Sequence, residues 1–186
     1  MKRRALLALM IPVALSATGC GYNQIQQYDE QAQSAKQNIQ VQLQRRSDLI
    51  PNLVNTVKGV TKQEDTVFIS IANARSRLNG AIQSGDPAQM AAADAQASAG
   101  IGRLLAIAEA YPELKSNQNF MALQDELTGT ENRIATARND YNQAVQQYNT
   151  YIRTFPQAIT AKVTGAKPRT YYEAPTASQT APTVKF

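Results

Sequence analysis

Apolar residues recur along most of the chain at alternating steps of three and four. The two longest series are Ile50, Leu53, Val57, Val60, Glu64, Val67, Ile71, Ala74 and Leu78, and Phe120, Leu123, Leu127, Thr130, Ile134, Ala137, Tyr141, Ala144, Tyr148, Tyr151 and Phe155. A seven-residue repeat of this kind places one apolar stripe along a helix that packs against near-parallel neighbours. Each series has one polar member, Glu64 in the first and Thr130 in the second. Both stretches are therefore predicted to be long helices.

Two shorter stretches show the same spacing and predict one helix over about 22–46 and another over about 88–110. Asp86 is placed to cap the second of these helices with its side chain. Pro87 is placed in the first turn, where a helix needs no backbone N–H. The pattern therefore predicts a helix start at Asp86-Pro87 and a connection before it.

The boundary between the first two helices is open to two interpretations. Asp48 can cap a new helix with Pro51 in its opening turn, a position that proline tolerates. Alternatively, the first helix runs through Pro51 with a kink, because the apolar spacing nearly keeps its register there. An unbroken helix over 22–80 would be about 90 Å long, more than the shorter helices of a small domain can cover. We therefore expect a break at 46–51.

Four helices with short connections predict an all-α fold, an antiparallel up-and-down four-helix bundle with long helices. Ser116 or Asn117 is placed to start the last helix, and the apolar pattern stops after Phe155-Pro156. The predicted organisation is a cleaved signal at 1–19, the bundle at 20–156 and a Pro/Thr/Ala-rich tail at 157–186. Val184 and Phe186 can pin the end of that tail to the bundle.

The first 20 residues predict export and a lipid anchor. Three basic residues precede an apolar run over 5–15, and Cys20 is the chain's single cysteine. The run is about half the length that a helix needs to cross a bilayer, which favours a removable signal. The small residues before Cys20 are similar to a lipobox, although Ala17 stands where leucine is commonest. An ordinary signal cut near Ala17 is the alternative. We expect Cys20 to be acylated, with the bundle on the exported side of a bacterial envelope membrane.

Charge and composition remove several function classes. Loss of 1–19 takes three of the 19 basic residues and no acidic one, which leaves 16 against 14 and a net charge of +2. So small an excess gives no support for nucleic-acid binding. The chain has no histidine, so neither histidine acid–base chemistry nor the usual zinc sites can be built. We expect a protein without enzymatic activity, cofactor or small-molecule substrate.

Glu64 is the one carboxylate that the apolar spacing points inward. A buried carboxylate needs a partner or a raised pKa, and Arg133 or Arg138 of the last helix is the predicted partner. The simplest interpretation is an ion pair that fixes helix register. The alternative function is a carboxylate-based metal-binding or enzymatic site inside the bundle around Glu64.

Several motifs make the sequence similar to the LemA family. The longest are Val41-Gln42-Leu43-Gln44-Arg45-Arg46-Ser47-Asp48-Leu49-Ile50-Pro51-Asn52-Leu53-Val54 and Leu104-Leu105-Ala106-Ile107-Ala108-Glu109-Ala110-Tyr111-Pro112-Glu113-Leu114-Lys115. Shorter matches extend the resemblance to about 22–156. The resemblance implies a helical bundle held at a membrane, with an unsettled molecular function and no catalytic residues to transfer. Members commonly have an N-terminal transmembrane helix, where this chain has a lipoprotein-like signal.

Up-and-down connectivity would place the 46–51 and 111–117 connections together at the end of the bundle away from the membrane. We expect this tip to dock an unidentified envelope protein, so that the chain acts as a scaffold or adaptor. The alternative is that both motifs are demanding turns whose residues only cap and pack. The candidate docking residues are Arg45, Arg46, Asp48, Pro51, Tyr111, Pro112, Glu113 and Lys115.

Overall fold

All regular structure in the described part of the chain is helical, which confirms the all-α prediction. The computed structural model describes residues 2–60 and 64–173, with side-chain packing at 21–60 and 64–173. The helices are α1 (Lys2–Lys58), α2 (Asp65–Ser84), α3 (Pro87–Glu109), α4 (Pro112–Lys115), α5 (Gln118–Tyr151) and α6 (Gln157–Thr164).

Helix α1 is continuous through Pro51, so the predicted break at 46–51 is wrong. Its 57 residues correspond to about 85 Å of helix at the usual rise. One series of buried positions keeps steps of three and four across the proline, and it consists of Leu43, Arg46, Ile50, Leu53 and Val57. The stripe thus continues where local propensity favours a stop.

The break lies instead between Lys58 and Asp65, inside the first predicted series. Val60 is exposed, and Glu64 is half-buried at the N-cap position of α2, without a side-chain capping bond. Phe68 is buried in place of the half-buried Val67. The chain therefore changes register in this connection, and the prediction that Glu64 points into the core is wrong.

The connection between α2 and α3 matches the sequence signals. Gly85 ends α2 with a left-handed φ of 64°, and its N–H donates to the carbonyl of Ala81. Asp86 caps α3 by accepting from the N–H groups of Ala88 at 2.8 Å and Gln89 at 3.3 Å. Pro87 opens the helix, as predicted.

Helix α5 begins after Asn117, whose side chain accepts from the N–H groups of Asn119 at 2.9 Å and Phe120 at 3.2 Å. The predicted stripe holds to Tyr141, including the polar member Thr130, which is buried and donates to the carbonyl of Glu126 at 2.8 Å. Beyond Tyr141 the buried apolar positions of this stripe are Val145, Tyr148 and Ile152. The stripe there follows the helix's own period, so the end of the predicted series, Phe155, is exposed.

The helical structure does not end at Phe155-Pro156. Helix α6 follows at once, and a left-handed Gly165 with φ of 73° closes it. Beyond α6, the segment 166–173 buries the ring of Tyr172. The predicted pinning residues Val184 and Phe186 lie outside the described residues.

The chain divides into two compact units. The first unit comprises Met1–Ala35 and Asp140–Thr170, and the second comprises Lys36–Asn139 and Tyr171–Phe186. In the first unit, Ile25 packs with Tyr148 and Ile152 of the α5 region and Ala161 of α6. In the second unit, α2 packs along α3, and Gly100 of α3 lets the side chain of Ile71 approach closely.

Candidate partner-binding groove

Pro51 removes one backbone donor from α1, and a side chain of α2 replaces it. The carbonyl of Ser47 would normally accept from the N–H four residues later, which proline lacks. It accepts instead from the Nε of Arg75 at 3.0 Å. The hydroxyl of Ser47 also donates to the Oδ1 of Asn79 at 2.6 Å. These bonds fix α2 against α1 at the proline.

An open groove of about 390 Å³ lies beside this point, within the second unit. Its apolar wall includes Ile50, Val54 and the buried ring of Phe68. The complete lining is Ile50, Pro51, Val54, Asn55, Lys58, Phe68, Ala72, Arg75, Ser76 and Asn79. We call this feature the Pro51 groove.

The charged residues that line the Pro51 groove are both cationic. The Nζ of Lys58 lies 5.0 Å from the ring centre of Phe68, a cation–π contact. Within the described part of the chain, neither Lys58 nor Arg75 has an ion-pair partner. The groove therefore combines an apolar wall with positive charge that no neighbouring carboxylate neutralises.

A buried ion cluster holds α1 to α3 and α5 in the same unit. The Arg46 guanidinium donates to Asp94 Oδ1 at 2.6 Å and also to Glu131 Oε2. Burial raises the pKa of Asp94, against the opposing effect of the Arg46 charge, and Glu131 raises it further. One arginine thus pairs with the buried Asp94 and with the half-exposed Glu131, and the two ion pairs join three helices.

The ring of Tyr172 covers part of this cluster. It is buried, and the Arg138 guanidinium lies 5.0 Å from its ring centre. Burial raises the pKa of Tyr172, and the nearby Asp94 charge acts in the same direction. The C-terminal segment therefore contributes directly to the packing of the second unit.

A second polar cluster fixes the C-terminal segment within the first unit. Arg169 donates from Nε and Nη2 to the two carboxylate oxygens of Asp29, at 2.8 and 2.9 Å. Asn149 and the backbone of Arg169 exchange two hydrogen bonds at 2.8 and 2.9 Å. The hydroxyl of Tyr141 donates to the carbonyl of Thr170 at 2.7 Å. The hydrogen bond that Arg169 donates to Asp29 raises the pKa of Arg169, which favours its charged form.

The residues predicted for a docking tip have different surroundings. On α1, Arg46 is buried, the exposed Arg45 donates to Glu126 at 2.8 Å, and Asp48 accepts from Gln44 at 2.9 Å. Only Pro51 among the eight lines the groove.

The other four predicted docking residues belong to the connection between α3 and α5. Tyr111 is the N-cap residue of α4, Pro112 opens it, and Glu113 and Lys115 are exposed around the buried Leu114. The first four residues thus lie inside a continuous helix, and the other four lie in a connection.

Sequence reasoning missed Asp94 and Arg169. Asp94 has a usable signal, because it is the one charged residue between Pro87 and Gly102 in an alanine-rich helix. Arg169 has no comparable signal, since it follows the last apolar repeat.

The structure gives no support to the predicted carboxylate site around Glu64 or to its predicted arginine partners. In the described ranges, no group of three or more acidic or cysteine side chains is arranged to hold a metal ion. Arg133 lies 3.8 Å from Glu126, and Arg138 lies against Tyr172. The predicted partners of Glu64 are thus engaged elsewhere.

The N-terminal prediction falls largely outside the described side chains. The backbone of α1 includes Cys20, but its side-chain environment lies outside the described part. Among the helices of the described residues, none is long and apolar enough to cross a membrane.

Comparisons with known proteins identify the family. The LemA family profile matches residues 35–186, and so includes the segment after α5. The magnetosome proteins MamQ 1 and MamQ 2 of Paramagnetospirillum magneticum are each 28% identical over 182 aligned residues, which cover 86% of this chain and 67% of the relative. The magnetosome protein MamQ of Magnetospirillum gryphiswaldense is 27% identical with the same coverage. Because the family profile covers well over half of its residues, this chain belongs to the LemA family.

Proposed function

We propose that this chain is a non-catalytic, membrane-tethered scaffold or adaptor of the bacterial cell envelope, which binds another envelope protein through the Pro51 groove. The observation that carries the proposal is an open groove with an apolar wall and two cations, formed by α1 and α2. The hydrogen bonds of Ser47 with Asn79 and Arg75 hold these two helices together. A preformed groove of this kind binds a partner without a large ordering cost.

The charge of the groove indicates the chemistry of its partner. Lys58 and Arg75 favour an acidic segment, and the wall of Ile50, Val54 and Phe68 favours an apolar side chain next to the acidic group. We therefore expect an acidic peptide segment with an apolar anchor residue. Because Arg75 also bonds to Ser47, Lys58 is the cation that can be changed without loss of a structural hydrogen bond.

Two observations support a structural rather than catalytic role. Shifted pKa values often mark active sites, but burial accounts for the raised pKa of Asp94, and the hydrogen bond to Asp29 accounts for that of Arg169. The Arg46 pairs join helices of the second unit, and the Arg169 pair joins α1 to the C-terminal segment in the first unit. Their charges therefore have a structural explanation in these ion pairs.

The finer architecture belongs to the same proposal, an antiparallel four-helix bundle on the exported side of a membrane. In the second unit, Gln40 donates to the carbonyl of Ile82, Ser47 donates to Asn79, and Lys58 contacts Phe68. As the residue numbers of α1 rise along these contacts, those of α2 fall. This order supports an antiparallel pair of helices. Cys20 is the proposed site of lipid attachment.

Site-specific photo-crosslinking in intact cells tests the docking proposal. A photoreactive residue replaces Asn55, an exposed groove residue, in the wild-type background and in Lys58→Glu. We expect an adduct with an envelope protein in the first case and at least a tenfold loss in the second, because charge reversal repels an acidic partner.

The matched control is Lys115→Glu, an exposed lysine of the predicted tip. Equal adduct yield in all three proteins would overturn docking at the groove. Loss of the adduct with Lys115→Glu alone would instead place the interface in the connection between α3 and α5.

A further inference from the structure

The first unit has an exposed apolar surface that its own core does not use. Phe155 is 78% exposed, Ile159 is 59% exposed and Val163 is 82% exposed. Ile159 and Val163 are four residues apart and so lie on one face of α6. Ala161 lies on the opposite face, where it packs with the core of the unit. Helix α6 is thus amphipathic, with an apolar face directed to solvent.

The charged side chains of the segment that carries this apolar face have one sign. Arg153, Lys162 and Lys167 are exposed, and the sequence from Tyr141 to Tyr172 contains no acidic residue. Arg169, the remaining cation in this stretch, is paired with Asp29. We call Phe155, Ile159 and Val163 with Arg153, Lys162 and Lys167 the α6 surface.

The α6 surface lies close to the start of the described side chains. A Cβ added at Gly21 would be 3.6 Å from Thr160 Oγ1 and 3.9 Å from Gln157 Cγ. The chain immediately after Cys20 therefore packs directly against α6. If Cys20 carries the lipid, its acyl chains enter the bilayer within a few residues of this helix.

We propose that the α6 surface binds the surface of an anionic lipid bilayer, with its apolar side chains in the headgroup region. Short amphipathic segments with cationic flanks bind membranes in this way, through buried apolar area and attraction to anionic lipids. The buried apolar area of such a segment adds to the membrane affinity that the acyl chains on Cys20 would supply. The inference goes beyond partner docking, and uses the proposed tether only to place α6 near the bilayer.

The absence of tryptophan from the sequence allows a direct test. The full chain with Phe155→Trp is reconstituted into vesicles of phosphatidylcholine and phosphatidylglycerol. We expect the emission of this lone tryptophan to shift to shorter wavelength and to be quenched by brominated lipid chains. The matched control is Val41→Trp, at a position of 62% exposure in the second unit, where we expect neither effect.

The charge dependence provides a second readout. We expect Lys162→Glu combined with Lys167→Glu to reduce the wavelength shift of Phe155→Trp on anionic vesicles. With Lys162 and Lys167 unchanged, Phe155→Trp should show a smaller wavelength shift on vesicles of phosphatidylcholine alone than on anionic vesicles. Equal shifts on both vesicle types would overturn the role of the cations.

Two outcomes would overturn the membrane contact itself. One is an unshifted Phe155→Trp emission in protein that floats with the vesicles, which would leave the tether intact without α6. The other is a shift that requires no vesicles and grows with protein concentration, which would assign the α6 surface to contact between two copies. Loss of flotation would instead count against the tether, and the crosslinks at the Pro51 groove report on partner docking separately.

Discussion

Arg46 in the second unit and Arg169 in the first unit both join distant parts of the chain through carboxylates, but at different depths. The side chains of Arg46 and Asp94 are each 5% exposed, whereas those of Arg169 and Asp29 are 23% and 38% exposed. A buried pair leaves a charge stranded when one partner is removed, whereas water compensates a half-exposed one. Depth, rather than the number of hydrogen bonds, should therefore decide how much each cluster matters for stability.

The largest effect is expected for Arg46→Met, which leaves Asp94 buried without its cation. We expect the free energy of unfolding to fall by about 3–5 kcal/mol, the usual cost of breaking a buried pair. Urea unfolding of the purified protein measures the change. The matched variant combines Arg46→Met with Asp94→Leu, which removes the stranded charge and should recover most of the loss. A loss below about 1 kcal/mol for Arg46→Met alone would contradict the role of depth.

A pH series sharpens the comparison through Asp94 itself. Its pKa is raised mainly by burial, so folding favours the protonated carboxyl. The stability contributed by this group is complete below about pH 3.8 and is lost as pH rises through the raised pKa. Relative to Asp94→Asn, the wild type should lose about 1.4 kcal/mol for each unit by which the pKa is raised. Urea unfolding of both proteins at successive pH values measures this loss. A wild type that becomes more stable relative to Asp94→Asn as pH rises would contradict the raised pKa of Asp94.

A smaller effect is expected for Arg169→Met in the first unit. Because the ion pair with Asp29 is partly exposed, its loss should lower the free energy of unfolding by only about 1 kcal/mol. The two hydrogen bonds between Asn149 and the backbone of residue 169 should remain in this variant. Hydrogen exchange of the amide at position 169 provides the local readout. A loss as large as that for Arg46→Met would show that depth is not decisive.

The smallest effect is expected for Arg45→Ala, because its arginine is more exposed than Arg46 or Arg169 in their ion pairs. Its side chain is 52% exposed. We expect a change of about 0.5 kcal/mol or less in the free energy of unfolding, since exposed pairs contribute little. Urea unfolding in low and high salt checks this value, and a larger loss would indicate a contact beyond the ion pair.

The repeat predicted the helices well because it reflects the depth of each position. It failed where a local signal competed with tertiary contacts. Pro51 looks like a helix start, yet α1 continues because Arg75, distant in sequence, supplies the missing donor. Near Glu64 the apolar spacing continues from α1 into α2 although the helix ends between them. The repeat alone cannot reveal such an end, because it records only the spacing of apolar residues.

The candidate site was less predictable than the fold. Pro51 was singled out, but as part of a predicted connection. The groove beside it needs Lys58 and Phe68, which lie on either side of the observed connection between α1 and α2. The pairing of Arg46 with Asp94 joins residues 48 positions apart, and single-sequence patterns carry no information on such pairs. Composition could flag the isolated Asp94 but could not choose its partner.

The bond from Arg75 to Ser47 also has a consequence for how the chain folds. Helix can form on either side of Pro51 from local contacts, but the carbonyl at Ser47 has no protein donor until α2 arrives. The two segments of α1 should therefore join late, in the same step in which the α1–α2 hairpin closes. In that sense the continuity of this helix around Pro51 is a tertiary property, acquired only when its neighbour is in place.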